Sequence, residues 1–140
     1  MPALPSSNPA QFVQGAPVLH VQDVKGTATF YRDILGFEVV TDSGGGDSSS
    51  WILLRLNDVY LMLNDQYEPD SVPETPPDER TKWHSDTCLY FSCPDPEGAF
   101  EYLESRGIDI KPPSIAPYGM RQLYLDDPDG YSLCFQCHID

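Results

Sequence analysis

Basic residues are scarce in this chain: 8 Lys and Arg stand against 22 Asp and Glu, for a formal net charge of −14. Nucleic acid and anionic membrane surfaces are held by basic patches, so neither is expected as a partner. Long hydrophobic runs are also missing. The longest, Trp51–Leu54 and Val59–Leu63, fall far short of the ~20 apolar residues that span a bilayer. Met1–Gly15 has no basic start and no continuous apolar stretch, so it does not read as a signal peptide; being rich in Pro, Ser and Asn, it is expected to form a loose arm. The four cysteines, at 88, 93, 134 and 137, do not form matched zinc-type pairs, because one pair is separated by two residues and the other by four. Reduced thiols in a cytoplasmic protein are the default reading.

What remains is enough for one domain with a real core: 140 residues, 40% of them hydrophobic. The chain reads as one pattern written twice. Pro17–Gln22 alternates like a strand. Asp23 then serves as a candidate N-cap for a helix whose Val24, Ala28, Tyr31 and Leu35 share a face, with Gly36 as its C-cap. Strands follow at Phe37–Thr41, Trp51–Leu56 and Val59–Asn64, the last two joined by the two-residue turn Asn57-Asp58. The second half repeats the order. A strand at Cys88–Cys93 leads to a helix opened by Asp95-Pro96 and closed by Gly107. Strands are expected near Ile108–Lys111, Met120–Leu125 and Tyr131–Gln136. The spacing therefore predicts an α+β fold of two βαβββ modules, at 16–64 and 87–140. An arm at 1–15 precedes them, and a Pro-rich acidic linker at 65–86 joins them.

Two strings carry a resemblance. Phe30-Tyr31-Arg32-Asp33-Ile34-Leu35-Gly36-Phe37 resembles the helix-to-strand signature of the first module of the vicinal oxygen chelate superfamily, which includes glyoxalase I, bleomycin-resistance proteins and extradiol dioxygenases. Gly119-Met120-Arg121 followed by Asp127-Pro128-Asp129-Gly130-Tyr131 resembles the last hairpin of its second module. The order and spacing hold from about Ala16 to Gln136. The resemblance implies a curved mixed-sheet cup with helices outside and a ligand or metal within.

In metal-using members the ligands, His or Gln and Glu, come from the first and last strands of each module. The matching positions here are Ala16, Met62, Cys88 and Cys134. Alanine cannot ligate, and thioether and thiol are soft donors ill suited to hard cations. A one-residue slip brings in Pro17, Leu61, Leu89 and Leu133, which is no better. No metal and no cofactor are therefore expected.

If Ala16 faces the cup, then Val18, His20 and Gln22 face it too, along with Tyr60, Met62 and Asn64. The hairpin count adds Arg55, Leu53 and Trp51. In the second module the inward set is Cys88, Tyr90 and Ser92, with Ser132, Cys134 and Gln136. This aromatic, weakly polar lining suits a flat or apolar organic ligand. Arg55 needs an anionic partner or a place at the rim, while Tyr118, Arg121 and Trp83 are expected to border the opening. His20 is the one general-base candidate, with no carboxylate in the lining to orient it; His84 and His138 are expected at the surface. Cys88 and Cys134, on neighbouring strands, can pair on oxidation, bind a soft ion or remain buried thiols.

The resulting expectation is a small-molecule binding protein similar to the bleomycin-resistance branch, sequestering an aromatic or cationic antibiotic-like ligand without chemistry. In that branch grooves commonly form between subunits, so the resemblance also implies a homodimer. The competing expectation is a metal-dependent lyase or oxygenase of the glyoxalase or dioxygenase kind.

Overall fold

The computed structural model describes residues 15–45, 49–65 and 82–139. The expected arm and most of the linker, 66–81, lie outside the described residues. The first module runs β1 (Val18–Val21), α1 (Val24–Thr29), β2 (Glu38–Asp42), β3 (Trp51–Leu56) and β4 (Val59–Asp65). The second runs β5 (Cys88–Ser92), α2 (Pro96–Ser105), β6 (Ser114–Ile115), β7 (Met120–Asp126) and β8 (Ser132–His138). Each module forms a four-stranded mixed sheet, in the orders β1-β4-β3-β2 and β5-β8-β7-β6. In both, the first strand runs parallel to the last and the other pairings are antiparallel. This is the expected α+β architecture of two βαβββ modules. No described helix is long and apolar enough to cross a membrane.

Local chemistry accounts for most boundaries. Asn57 adopts φ 52°, so Asn57-Asp58 closes the β3–β4 turn in two residues. The resulting register, Arg55 beside Tyr60, Leu53 beside Met62 and Trp51 beside Asn64, is the one expected from that turn. Asp95 caps α2 by accepting the Gly98 amide, and Pro96 occupies the first turn, where its missing N–H costs nothing. Gly36 and Gly107 follow the two helices at φ 89° and 82°, a left-handed conformation that glycine reaches without a Cβ clash.

Three expectations need correction. Asp23 sits at the N-cap of α1, but its side chain makes no capping bond. The helix does not run on to Leu35 as an α-helix: Phe30–Ile34 is a π-helical turn in which the Leu35 amide reaches the Phe30 carbonyl. The strand expected at Ile108–Lys111 is absent. Pairing begins only at Ser114–Ile115, because Pro112 and Pro113 have no N–H to give a ladder.

Leu19, Val21, Ile52, Leu54, Leu61 and Leu63 of the first sheet and Phe91, Leu123, Leu125 and Leu133 of the second belong to one buried cluster. Alternation along the strands therefore leaves the opposite face of each sheet, the expected cup face, only partly covered.

The modules meet through the turn before β8. Asp127 Oδ1 accepts the backbone amides of Asp129 and Tyr131, both at 2.9 Å, which shapes the turn. Its Oδ2 accepts the Tyr31 hydroxyl of the first module at 2.7 Å. Asp129 Oδ1 accepts the Gln22 amide at 2.7 Å, and the Tyr131 hydroxyl donates to the His20 carbonyl at 2.8 Å. His84, expected at the surface, is instead held here. Its Nδ1 lies 2.8 Å from Asp129 Oδ2, and its ring stacks on Tyr131 with centroids 4.1 Å apart. A buried carboxylate needs such a partner, which is why the histidine is drawn in.

Candidate functional site

On the first sheet the cup face presents Val18 and His20 from β1, Trp51 and Leu53 from β3, and Tyr60, Met62 and Asn64 from β4. All are at least partly exposed. Arg55 shares this face but lies at its rim, exposed and paired with Glu38 of β2. Its hydrogen bonds to Tyr60 and Glu38 hold the guanidinium pKa above its ordinary value. His20 is half-buried, and its Nδ1 has no hydrogen-bond partner among the described residues.

The second sheet carries the richer polar surface. Pairing of β5 with β8 aligns Cys88 with Ser132, Tyr90 with Cys134 and Ser92 with Gln136. Pairing of β7 with β8 sets Gln122 beside Gln136 and Tyr124 beside Cys134. Gln122 is buried, 5% exposed, and sits at the centre of a side-chain network. Its Nε2 donates to Tyr118 Oη and to Gln136 Oε1, each at 2.9 Å. Its Oε1 accepts the Tyr124 hydroxyl at 3.2 Å, and Tyr124 in turn lies 3.5 Å from the Tyr90 hydroxyl. The bond to Tyr90 and partial desolvation raise the Tyr124 phenol above its ordinary pKa. Tyr90, Tyr118 and Tyr124 nonetheless expose 55%, 67% and 43% of their surfaces, so three aromatic rings stand in solvent around one buried amide. An open cleft of about 430 Å³ adjoins this network, lined by Asp109, Lys111, Ser114, Gln122, Tyr124 and Asp126 among others.

Cys134 is fully buried, and desolvation raises its thiol, which also bonds to Tyr124. Cys88 lies diagonally across the ladder on the same face, half-buried and unoxidised. Arg121 points away from this set: its register partner is Cys137 on the opposite face, and its guanidinium pairs with Glu97 of α2. Trp83 is 61% exposed, and His138 is exposed.

The four positions that carry metal ligands in the resembled enzymes do not make a donor set for a hard cation. Val18 rather than Ala16 pairs with Met62, with Ala16 lying before the strand, and a methyl group, a thioether and two thiols are what these positions offer. Among the described residues no group of three or more His, Cys, Asp or Glu lies together so as to hold a metal ion. The residues present do not fit the metal of the enzymes.

Gln122 and Tyr124 were not among the candidates read from sequence. Alternation along β7, counted back from the turn at Asp127, was the signal that places both on the cup face. Asp127, Asp129 and Tyr31 were legible only as turn and helix residues, since nothing local marks a bond that spans 96 positions.

The model of the glyoxalase/bleomycin resistance protein/dioxygenase superfamily matches residues 13–135. Among solved structures, a glyoxalase/bleomycin resistance protein/dioxygenase from Nocardioides superposes with TM-score 0.72 at 19% identity, covering 96% of this chain and 88% of that one. TnmS3, an antibiotic-binding protein from Streptomyces sp. CB03234, gives 0.69 at 22% identity, with 94% and 100% covered. A lactoylglutathione lyase from Agrobacterium tumefaciens gives 0.65 at 19% identity, with 94% of each chain covered. At such identities these likenesses speak to the fold alone. With the family model spanning residues 13–135, the chain belongs to the glyoxalase/bleomycin resistance protein/dioxygenase superfamily.

Proposed function

We propose that this protein binds a small organic ligand on its cup faces through side-chain and aromatic contacts alone, without a resident metal. The observation that carries this reading is the donor set at the family's metal positions: Ala16, Met62, Cys88 and Cys134 offer nothing a hard cation prefers. Support comes from the exposed tyrosines around Gln122, which suit a ligand with a flat body and a few polar groups. TnmS3, to which this chain is structurally similar, is an antibiotic-binding protein, which supports a small-molecule ligand here.

A homodimer completes the site. Val18, Tyr90 and Tyr124 expose 42%, 55% and 43% of their surfaces on faces that in one chain meet no opposing sheet among the described residues. A second copy laid against them encloses the ligand and buries these side chains.

The test is equilibrium dialysis of the protein, with and without EDTA, against a panel of aromatic and cationic antibiotics. Saturable binding of at least one member, unchanged by EDTA, is expected. Binding that EDTA abolishes contradicts the reading.

One observation favours a second reading, in which the protein is an enzyme: His20, whose imidazole is a side chain of the general-base type, stands half-buried on the cup face. Turnover of a bound ligand that is lost in His20→Gln would select it.

A further inference from the structure

The four cysteines divide between the two faces of the second sheet. Cys88 and Cys134 share the cup face with Tyr90 and Gln136, whereas Cys93 and Cys137 alternate onto the opposite face, which carries Phe91 and Phe135. All four are free thiols. A disulfide between neighbouring strands joins residues of one face, so Cys88 can reach only towards Cys134, and Cys93 only towards Cys137.

Register separates the two pairs. Cys88 stands opposite Ser132, and Tyr90 opposite Cys134, so Cys88 and Cys134 are offset by two residues. With strands about 4.8 Å apart and a rise of about 3.3 Å per residue, that diagonal is about 8 Å between Cα atoms. A disulfide spans about 4.4–6.8 Å, so this pair cannot close without moving the backbone. Cys93 and Cys137 have no such offset. The strands β5 and β8 pair as far as Ser92 and Gln136, and the Cys93 amide still donates to the Gln136 carbonyl at 2.8 Å. One step further in that register sets Cys93 opposite Cys137, at about the interstrand spacing of 4.8 Å. Two residues back on the same face, Phe91 and Phe135 stack with ring centroids 5.1 Å apart, so register partners here meet side by side. Cys93 and Cys137 are both partly exposed, as reaction with a small molecule requires. Burial pushes the Cys93 thiol up, offset in part by a backbone hydrogen bond at Asp95, and the neighbouring Cys137 adds to the rise.

We infer that Cys93 and Cys137 are a redox pair, closing an intramolecular disulfide that ties the end of β5 to the end of β8. The oxidant is a low-molecular-weight disulfide. One cysteine thiolate attacks a reagent sulfur, forms a mixed disulfide and expels one small thiolate; the second cysteine thiolate attacks the protein-bound sulfur and expels the other. The reagent S–S bond is reduced, one protein S–S bond forms, and the two cysteine protons end on the two released thiols. The loop so closed contains α2, β6 and β7, and restricting it in the unfolded chain stabilises the fold. The bond also fixes Ser92 and Gln136, the cup-face partners one residue before each cysteine. None of this depends on the ligand-binding reading above.

The experiment incubates native protein with 2-hydroxyethyl disulfide at about pH 8.5. The reagent is neutral, so the −14 net charge does not repel it, and the pH supplies thiolate at the raised Cys93. Remaining thiols are alkylated, and the chain is digested with chymotrypsin without reduction. Phe91 lies between Cys88 and Cys93, and Phe135 between Cys134 and Cys137, so cleavage there tells the pairs apart by mass. A peptide linking Cys93 to Cys137 is expected, and the urea midpoint of the oxidised chain is expected to rise by about 1 M or more over the reduced chain. Cys93→Ser is expected to lose both effects, and Cys88→Ser to keep both. A Cys88–Cys134 link, a link between two chains, or mixed disulfides with the reagent alone overturns the inference, and wild-type mapping decides this without any variant. A Cys93–Cys137 link that leaves the midpoint unchanged overturns its role as a tie between the strands.

Discussion

Tyr31→Phe deletes one oxygen from the core and tests how the two modules are joined. The Tyr31 hydroxyl is buried and donates to Asp127 Oδ2 at 2.7 Å. Burial is the main cause that lifts the Asp127 carboxyl from its ordinary 3.8 to about 6; bonds from Tyr31, Tyr131 and Asp129 pull it back down in part. A shift of that size corresponds to about 3 kcal/mol of destabilisation when the group ionises in place. Because the native pKa is the higher one, this group's contribution to stability is greatest below the unfolded pKa and is lost as pH rises through about 6. At pH 7.5 the Tyr31 bond serves a buried carboxylate, and its loss costs about 2–3 kcal/mol. At pH 5 the native carboxyl is mostly protonated, the bond joins two neutral groups, and its loss costs about 1 kcal/mol. Urea unfolding at the two pH values, followed by tryptophan fluorescence, measures both. A cost below about 0.5 kcal/mol at pH 7.5, or the same cost at both pH values, would refute the role given to this bond.

Asp127→Asn removes the titration while keeping an acceptor for the turn amides. The stability of wild type relative to this variant is expected to fall by about 2–3 kcal/mol between pH 4 and 7.5, and a pH-independent difference would contradict it. Leu133→Ala, at a fully buried position of β8, is expected to cost about 2–5 kcal/mol in the same assay; a cost under 1 kcal/mol would mean that the site repacks. Cys134 is expected to be the last thiol to react with a disulfide reagent, after Cys88, Cys93 and Cys137. Peptide mapping of partly labelled protein reads the order, and early labelling of Cys134 would contradict its burial.

The fold was legible where short-range chemistry dictates it. The Asn57-Asp58 turn sets the β3–β4 register, Asp95-Pro96 starts α2, and the two glycines end the helical segments. Once the register was set, period-2 alternation separated Leu61 and Leu63 from Tyr60 and Met62. What stayed hidden depends on distant partners. The π-helical turn at Phe30–Ile34 breaks no spacing, since Tyr31 and Leu35 still face inward. His84 looked like a linker residue because Asp129, its partner, lies 45 positions away. Gln122 reads as one more polar strand residue until Tyr118, Tyr124 and Gln136 are seen around it. Composition does not locate the site: the net charge is −14, whereas the residues closest around Gln122 are uncharged.

Metal content of untagged protein prepared without chelator, by elemental mass spectrometry, bears most directly on ligand binding without a metal. A donor set of Ala16, Met62, Cys88 and Cys134 predicts less than about a tenth of an equivalent of any transition metal or zinc. About one equivalent of Fe, Mn, Ni or Zn would contradict the account and redirect attention to the lyase and oxygenase chemistry of the superfamily.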